Sequence, residues 1–202
     1  MDIDNLVIVS AAPFEVQPLK EKYPSLSFIE CGIGSLEASF RSCYYLEYLK
    51  DKDVIFVGTC GSFSKFRKIE LVCASKLLWM DVGERIGYSQ SIERLYPGVD
   101  VDSHFFAELN EKIVVTSPSI SQSSFIHPQC SLQTDCQHLY VENLEAYAFF
   151  APLQNILRSF HIILAVTNEL CLSARQQWRE NFRIAAQLSS EYLLNKLNIN
   201  NG

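Results

Sequence analysis

The chain has no apolar run long enough to cross a bilayer, and its opening, MDIDNLVIVSAAP, pairs two acids with a short hydrophobic stretch unlike a signal peptide. Basic residues are few: 17 Lys and Arg stand against 23 Asp and Glu, for a formal charge of -6. They gather on no single stretch, which disfavours an electrostatic grip on nucleic acid or on an anionic membrane. Glycine is sparse, at 8 residues, and never takes the spacing of a phosphate-binding P-loop. Internal repeats and low-complexity segments are missing as well. Cysteine is present, but as an odd count of 7 spread through apolar contexts, which is no disulfide framework and fits a reducing, cytoplasmic compartment.

What is there is a chain of 202 residues, 48% hydrophobic, enough to bury a sizeable core in one domain. Its apolar runs alternate with helical patterns. LVIVSAA (Leu6 to Ala12) reads as a buried strand, followed by a helix from Pro13 to Tyr23 with Pro18 as a complication. SLSFIEC is a second strand, and GIG (Gly32 to Gly34) leads into an amphipathic helix, SLEASFRSCYYLEYLK. DVIFVG (Asp53 to Gly58) does not alternate, so it reads as a strand buried on both faces, ending in a glycine-containing turn, TCGS.

The segment IELVCASKLLWMDVG reads as a strand pair or one bent strand, and Gly83 to Leu109 as irregular. KIVVTSPS is a further strand, VENLEAYAFFAPLQNIL has helical spacing, and HIILAVTN is a buried strand ending on Asn168. A long amphipathic helix closes the chain from Ser173 to Leu197, with residues 198–202 as a frayed tail. The expected architecture is a single α/β domain over 1–197, three α/β/α layers around a mixed, mostly parallel central sheet.

In such sheets ligands gather beyond the carboxyl ends of the strands. Glu15, Gly32 and Gly34, Thr59 to Ser62, and Thr167 with Asn168 all follow strands. Each alone has a plain explanation: a first-turn acid, a turn glycine, a helix cap. Glu142 and Glu145, at i and i+3 of an expected helix, would put one carboxylate in a cleft and the other in solvent. The fragments HPQC and DCQH supply His127, Cys130, Cys136 and His138, ligand types that suit zinc, but at no common zinc spacing. Neither a metal nor a cofactor is expected.

The order of these motifs resembles the nucleoside phosphorylase superfamily, and within it the nucleosidase branch of methylthioadenosine/S-adenosylhomocysteine nucleosidases and futalosine hydrolases. IVSAAPFEV is similar to the family's opening strand and glutamate, CGIG to its SGIG, DVIFVGTCGS to its glycine-rich segment, and VENLEAYAFF to its VENMEG or VEMEA signature. AVTN stands where the family has Ser-Asp. Over most of the chain, residues 80–130 excepted, the resemblance implies a purine N-ribosidic hydrolase acting on a 5′-substituted nucleoside.

In that scheme Glu15 activates water, Glu145 accepts hydrogen bonds from the ribose hydroxyls, and Leu144 replaces a methionine beneath the sugar. Thr167 and Asn168 face the purine. Ala11, Cys31, Gly34, Thr59, Cys60, Gly61 and Asn143 complete the nucleoside site, with Ile120 or Phe125 as the apolar surface for the base. VENLEA, with Asn143, is nearer the futalosine-hydrolase form, which implies menaquinone-pathway futalosines, and a homodimer is expected.

Phosphorylases of the family carry an arginine where this chain has Phe56. Two missing arginine-phosphate pairs would cost ~1.5–3 kcal/mol each, so water is the expected nucleophile. Cys31 stands in place of a serine, and a thiol is the weaker donor. Asn168 stands in place of an aspartate, and an amide is no general acid. It either suits a 6-oxopurine, accepting from N7–H and donating to O6, or marks a silenced aspartate. A nucleoside-binding protein without activity, a phosphorylase and a zinc module are the rival readings.

Overall fold

The computed structural model describes residues 2–80, 98–116 and 138–197. Eight strands occur among them: β1 (Leu6–Ser10), β2 (Ser27–Glu30), β3 (Asp53–Ser62), β4 (Glu70–Trp79), β5 (Val99–Asp100), β6 (Asn110–Thr116), β7 (Tyr140–Glu142) and β8 (Ser159–Glu169). Five α-helices accompany them: α1 (Gln17–Lys22), α2 (Ser35–Tyr44), α3 (Leu46–Leu49), α4 (Ala146–Phe150) and α5 (Ala174–Lys196). The fold is the expected mixed α/β arrangement around a central sheet.

Strand β1 pairs in parallel with β2 and β3, β3 with β8, β4 with β6, and β6 with β7. The contacts of β3 with β7, β4 with β5 and β4 with β8 are antiparallel. These pairings close a ring through β3, β8, β4, β6 and β7, with β1 and β2 continuing outward from β3. Closure satisfies the backbone of both β3 and β8 on two edges and buries them, which is why Val54 to Val57 and Ile162 to Val166 are continuous apolar runs.

Both faces are covered. On β1, Leu6 and Ile8 join one core cluster while Val7 and Val9 join the other, and on β3 Ile55 and Val57 oppose Val54 and Phe56 in the same way. The cluster with Val9 and Phe56 packs under Ala38 of α2, Leu49 of α3 and Phe149 of α4. The cluster with Ile8 and Val57 packs under Leu19 of α1 and Leu193 of α5. Each fully buried aliphatic side chain contributes about 1.5–3 kcal/mol of transfer free energy.

Several elements differ from expectation, each for a local reason. The first helix is broken into a 3-10 turn, Pro13–Glu15, and α1, because Pro18 has no N–H to give and is tolerated only in the first turn of a fresh helix. The glycine-rich segment after Gly58 is not a turn: β3 runs on to Ser62. Glu142 lies on a strand and Glu145 caps α4, so the long helix expected from Val141 reduces to Ala146–Phe150. Strand β8 also continues past Asn168, to Glu169, and the C-terminal helix starts at Ala174.

Candidate active site

The carboxyl ends of β1, β3 and β8, the loop after β2 and the segment entering α4 meet at a cavity of about 340 Å³. Glu15 closes the 3-10 turn that Pro13 starts, and its side chain folds back over the end of β1. There Oε2 accepts from the N–H groups of Ala11 (3.0 Å) and Ala12 (3.2 Å), and Oε1 from the N–H (3.1 Å) and hydroxyl (3.3 Å) of Thr59. Burial pushes the Glu15 carboxyl up to about 7, helped by the nearby charge of Glu145 and opposed by the three backbone N–H groups.

Glu145 faces the same space from the cap of α4. Its Oε1 accepts from Gly34 N–H at 2.8 Å, and burial raises its pKa to about 7 as well. The GIG turn makes this contact possible: Gly32 and Gly34 adopt φ of +82° and +88°, a region that disfavours side chains. That backbone sends the N–H of Gly34, the residue capping α2, toward α4. Asn143 fixes the other end, its Oδ1 accepting from the N–H groups of Glu145 (3.1 Å) and Ala146 (2.8 Å) while its Nδ2 donates to Thr59 O (3.0 Å).

A row of residues crosses the sheet beneath the cavity: Glu142 on β7 pairs with Gly61 on β3, which pairs with Asn168 on β8. The Asn168 amide is oriented by its neighbours, Nδ2 donating to Glu169 O (3.2 Å) and Oδ1 accepting from the Thr167 hydroxyl (3.0 Å). One amide hydrogen and one oxygen lone pair remain for a ligand.

Of the residues expected at the site, Ala11, Glu15, Thr59, Cys60, Gly61, Asn143, Leu144, Glu145 and Asn168 line the cavity. Cys31, Gly34 and Thr167 stand behind its wall. The Cys31 thiol is fully buried, pushed far above its ordinary pKa by desolvation, and points to Gly32 O at 3.6 Å. Gly34 acts through its N–H, and the Thr167 side chain is spent on Asn168 and the Cys60 carbonyl. Ile120 and Phe125 lie outside the described residues.

Glu142 and Glu145 do not divide between cleft and solvent; both are buried and both line the cavity, because the segment carrying Glu142 is a strand inside the closed sheet. Phe14, Ile33, Arg175 and Trp178 also line it, unanticipated from the sequence. Phe14 could have been suspected from its place beside Glu15. Arg175 and Trp178 read only as surface and apolar positions of an amphipathic helix.

Phe56, where a phosphate-binding arginine would stand, is fully buried in the core. Among the described residues no group of three or more His, Cys, Asp or Glu could hold a metal, and no helix is long and apolar enough to cross a membrane. His127, Cys130 and Cys136 lie outside the described residues.

No family model matches the sequence, and no curated protein matches it. Solved structures do. The architecture is that of solved nucleosidase structures, and the match extends over 97–100% of those chains. The Helicobacter pylori 5′-methylthioadenosine/S-adenosylhomocysteine nucleosidase, in an aspartate-to-asparagine variant with 5′-methylthioadenosine in the active site, superposes with a TM-score of 0.72 at 13% identity, over 99% of this chain and 100% of that one. The corresponding Neisseria meningitidis enzyme, in complex with methylthio-immucillin-A, gives 0.73 at 17% identity, over 95% and 97%. A futalosine hydrolase mutant of H. pylori gives 0.71 at 12% identity, over 96% and 99%. At these identities the likeness establishes the fold.

Proposed function

We propose that the protein is an N-ribosidic hydrolase that releases the purine base from a 5′-substituted nucleoside, with a preference for a 6-oxopurine such as that of futalosine. The observation that carries this is the opposition of two buried carboxylates, Glu15 and Glu145, across one cavity that ends on the Asn168 amide. A base with a pKa near 7 divides its time between accepting and releasing a proton at neutral pH, as a water-activating group needs. Glu15 takes a proton from water as its oxygen bonds to C1′ and the bond from C1′ to the base nitrogen breaks. Glu145, carrying charge in a desolvated setting, grips the ribose hydroxyls and stabilises the oxocarbenium-like sugar.

Asn168 gives the departing base no proton, yet its free lone pair and amide hydrogen match N7–H and O6 of a 6-oxopurine. Solvent supplies the N7 proton. The structural neighbours are a nucleosidase with 5′-methylthioadenosine in its active site and a futalosine hydrolase, which supports a 5′-substituted nucleoside as the substrate. Hydrolysis is favoured over phosphorolysis by the buried Phe56.

The surface next to the cavity supports a homodimer. Leu36, Phe40 and Tyr44 recur every fourth residue on α2 and are 87%, 75% and 72% exposed, an apolar stripe that a monomer would leave in water. It continues into Ile33 at the cavity wall. Incubation with futalosine, aminodeoxyfutalosine, methylthioadenosine and adenosylhomocysteine, with and without phosphate, tests the function. Free base without phosphate supports it; release only with phosphate makes the protein a phosphorylase, and no release from any substrate leaves a nucleoside-binding protein.

A further inference from the structure

The side chain of Trp178 reaches from α5 to the hydroxyl of Thr59, its Nε1–H lying 3.1 Å from Oγ1. An indole N–H only donates, so Oγ1 is the acceptor in this contact, and the hydroxyl proton of Thr59 is directed elsewhere. The acceptor within reach is Oε1 of Glu15, at 3.3 Å. The two bonds therefore run one way, from indole to hydroxyl to carboxylate.

Trp178 is itself held in place. Its ring stacks on Phe182 at 5.1 Å and 18°, and Phe14 meets both rings edge-on, at 5.8 Å from Trp178 and 5.2 Å from Phe182. Phe14 adjoins Glu15 in sequence, so the cluster that locks the indole also fixes the turn that carries the carboxylate. Phe14 and Trp178 line the cavity.

We propose that Trp178 is a positioning residue for Glu15: it sets the Thr59 hydroxyl as an obligate donor to the carboxylate and so keeps that carboxylate aimed into the cavity. The proposal rests on Glu15 as the base of the function above. It adds that the base is held from a helix remote from it in sequence, through the aromatic cluster of Phe14, Trp178 and Phe182. A hydrogen bond to the charged form lowers a carboxyl pKa, so the hydroxyl bond at 3.3 Å acts in the same direction as the N–H groups of Ala12, Thr59 and Ala11, which oppose the effect of burial on Glu15.

Glu15 is also faced by Glu145, whose charge raises its pKa, and by the Cys31 thiol, which is held protonated. Glu142 and Arg175 share the cavity wall with it. These neighbours are unchanged by replacing the indole, which isolates the relay.

The test is a direct titration of the Glu15 carboxyl by carbon-13 NMR on the unliganded protein, beside the pH dependence of kcat/KM. Trp178→Phe keeps a ring for stacking and removes the donor; the Glu15 midpoint is expected to rise by about half a unit or more, with the acid limb of kcat/KM following it. Thr59→Val produces the same rise, Thr59→Ser does not, and Trp178→Phe adds no further shift in the Thr59→Val background.

In the wild-type chain the Trp178 indole N–H resonance should itself titrate with Glu15 and cease to do so in Glu15→Gln, a reading independent of how Trp178→Phe folds. An unmoved Glu15 midpoint in Trp178→Phe, or additive shifts in the double variant, would overturn the proposal, as would an indole signal indifferent to Glu15. Because the titration needs no turnover, an inactive wild type bears on the proposed function and leaves this result intact.

Discussion

Gly61 lies opposite Asn168 across β3 and β8, although its predecessor Cys60 lies opposite Val166. Thr167 is the extra residue of a β-bulge. Bulges re-aim the side chains that follow them, and here the next side chain is the amide that ends the cavity. The missing Cβ of Gly61 is part of the same device: an added methyl would sit 2.9 Å from Asn168 Nδ2 and 2.5 Å from Leu170 Cδ2.

Gly61→Ala is therefore expected to displace Asn168 as well as to strain the sheet. Overpacking of this kind costs about 1–3 kcal/mol, visible as a lower melting temperature. Affinity for a purine nucleoside should fall by more than the loss of stability explains, and calorimetry at a temperature where the variant is folded separates the two effects.

Glu15→Gln should abolish turnover while sparing binding. Loss of a general base costs about 10²–10⁴ in rate, and the ribose contacts assigned to Glu145 are untouched, so kcat falls and KM holds. The amide also brings a donor to a pocket already supplied with the N–H groups of Ala11, Ala12 and Thr59. Equal losses in kcat and in nucleoside affinity would remove Glu15 from the role of base.

The strands were legible in the sequence because β1, β3 and β8 are apolar without alternation, and the residues after them were legible because the ends of such strands carry function. Glu15, Thr59, Asn143, Glu145 and Asn168 all fall within motifs that could be read in order. The closed ring was not legible, since the antiparallel pairing of β4 with β8 joins segments some ninety residues apart and leaves no local pattern. Nor was the aromatic wall. Trp178 and Phe182 look like two apolar positions of an amphipathic helix until α5 is docked against the end of β3. Glu142 and Glu145 misled for a related reason: helical spacing in VENLEAY is real, but the ladder bonds of β7 outcompete it.

Stability should fall as pH rises from about 4.5 to 7. Glu15 and Glu145 have pKa values raised to about 7 in the folded chain, against 4.5 for an ordinary glutamate. The folded state thus binds more protons than the unfolded state across that window, so each carboxylate contributes stability that is complete below the lower value and lost through the upper one. The slope is roughly 1.4 kcal/mol per pH unit for each group. Asp53, held below its usual range by hydrogen bonds from Arg158, acts in the opposite sense and loses its contribution under acid. Thermal melts should peak near pH 5 and decline toward pH 8, and Glu15→Gln should flatten the decline.

The stripe on α2 predicts the oligomeric state. Replacing Phe40 and Tyr44 by serine removes exposed apolar surface that no described residue of the same chain covers, so the fold should hold. If two copies meet on this face, sedimentation should change from dimer to monomer, and activity should fall with it because Ile33 joins the stripe to the cavity. A dimer unaffected by both substitutions would place its interface elsewhere.

Asn168→Asp bears on what the amide does. The present side chain turns its Nδ2 toward the Glu169 carbonyl at 3.2 Å; an ionised aspartate would set two oxygens against each other there, so the carboxyl at 168 is expected to bind a proton well above the usual aspartate range. A protonated acid can donate to N7, which an amide cannot. Release of adenine from methylthioadenosine should then rise by about 10²–10⁴, while release of a 6-oxopurine, which the proposed function has the wild-type amide contact at both N7–H and O6, should gain far less or decline. The ratio of the two rates is the measurement. A uniform gain on both bases would mean that Asn168 confers no base preference and merely lacks the proton.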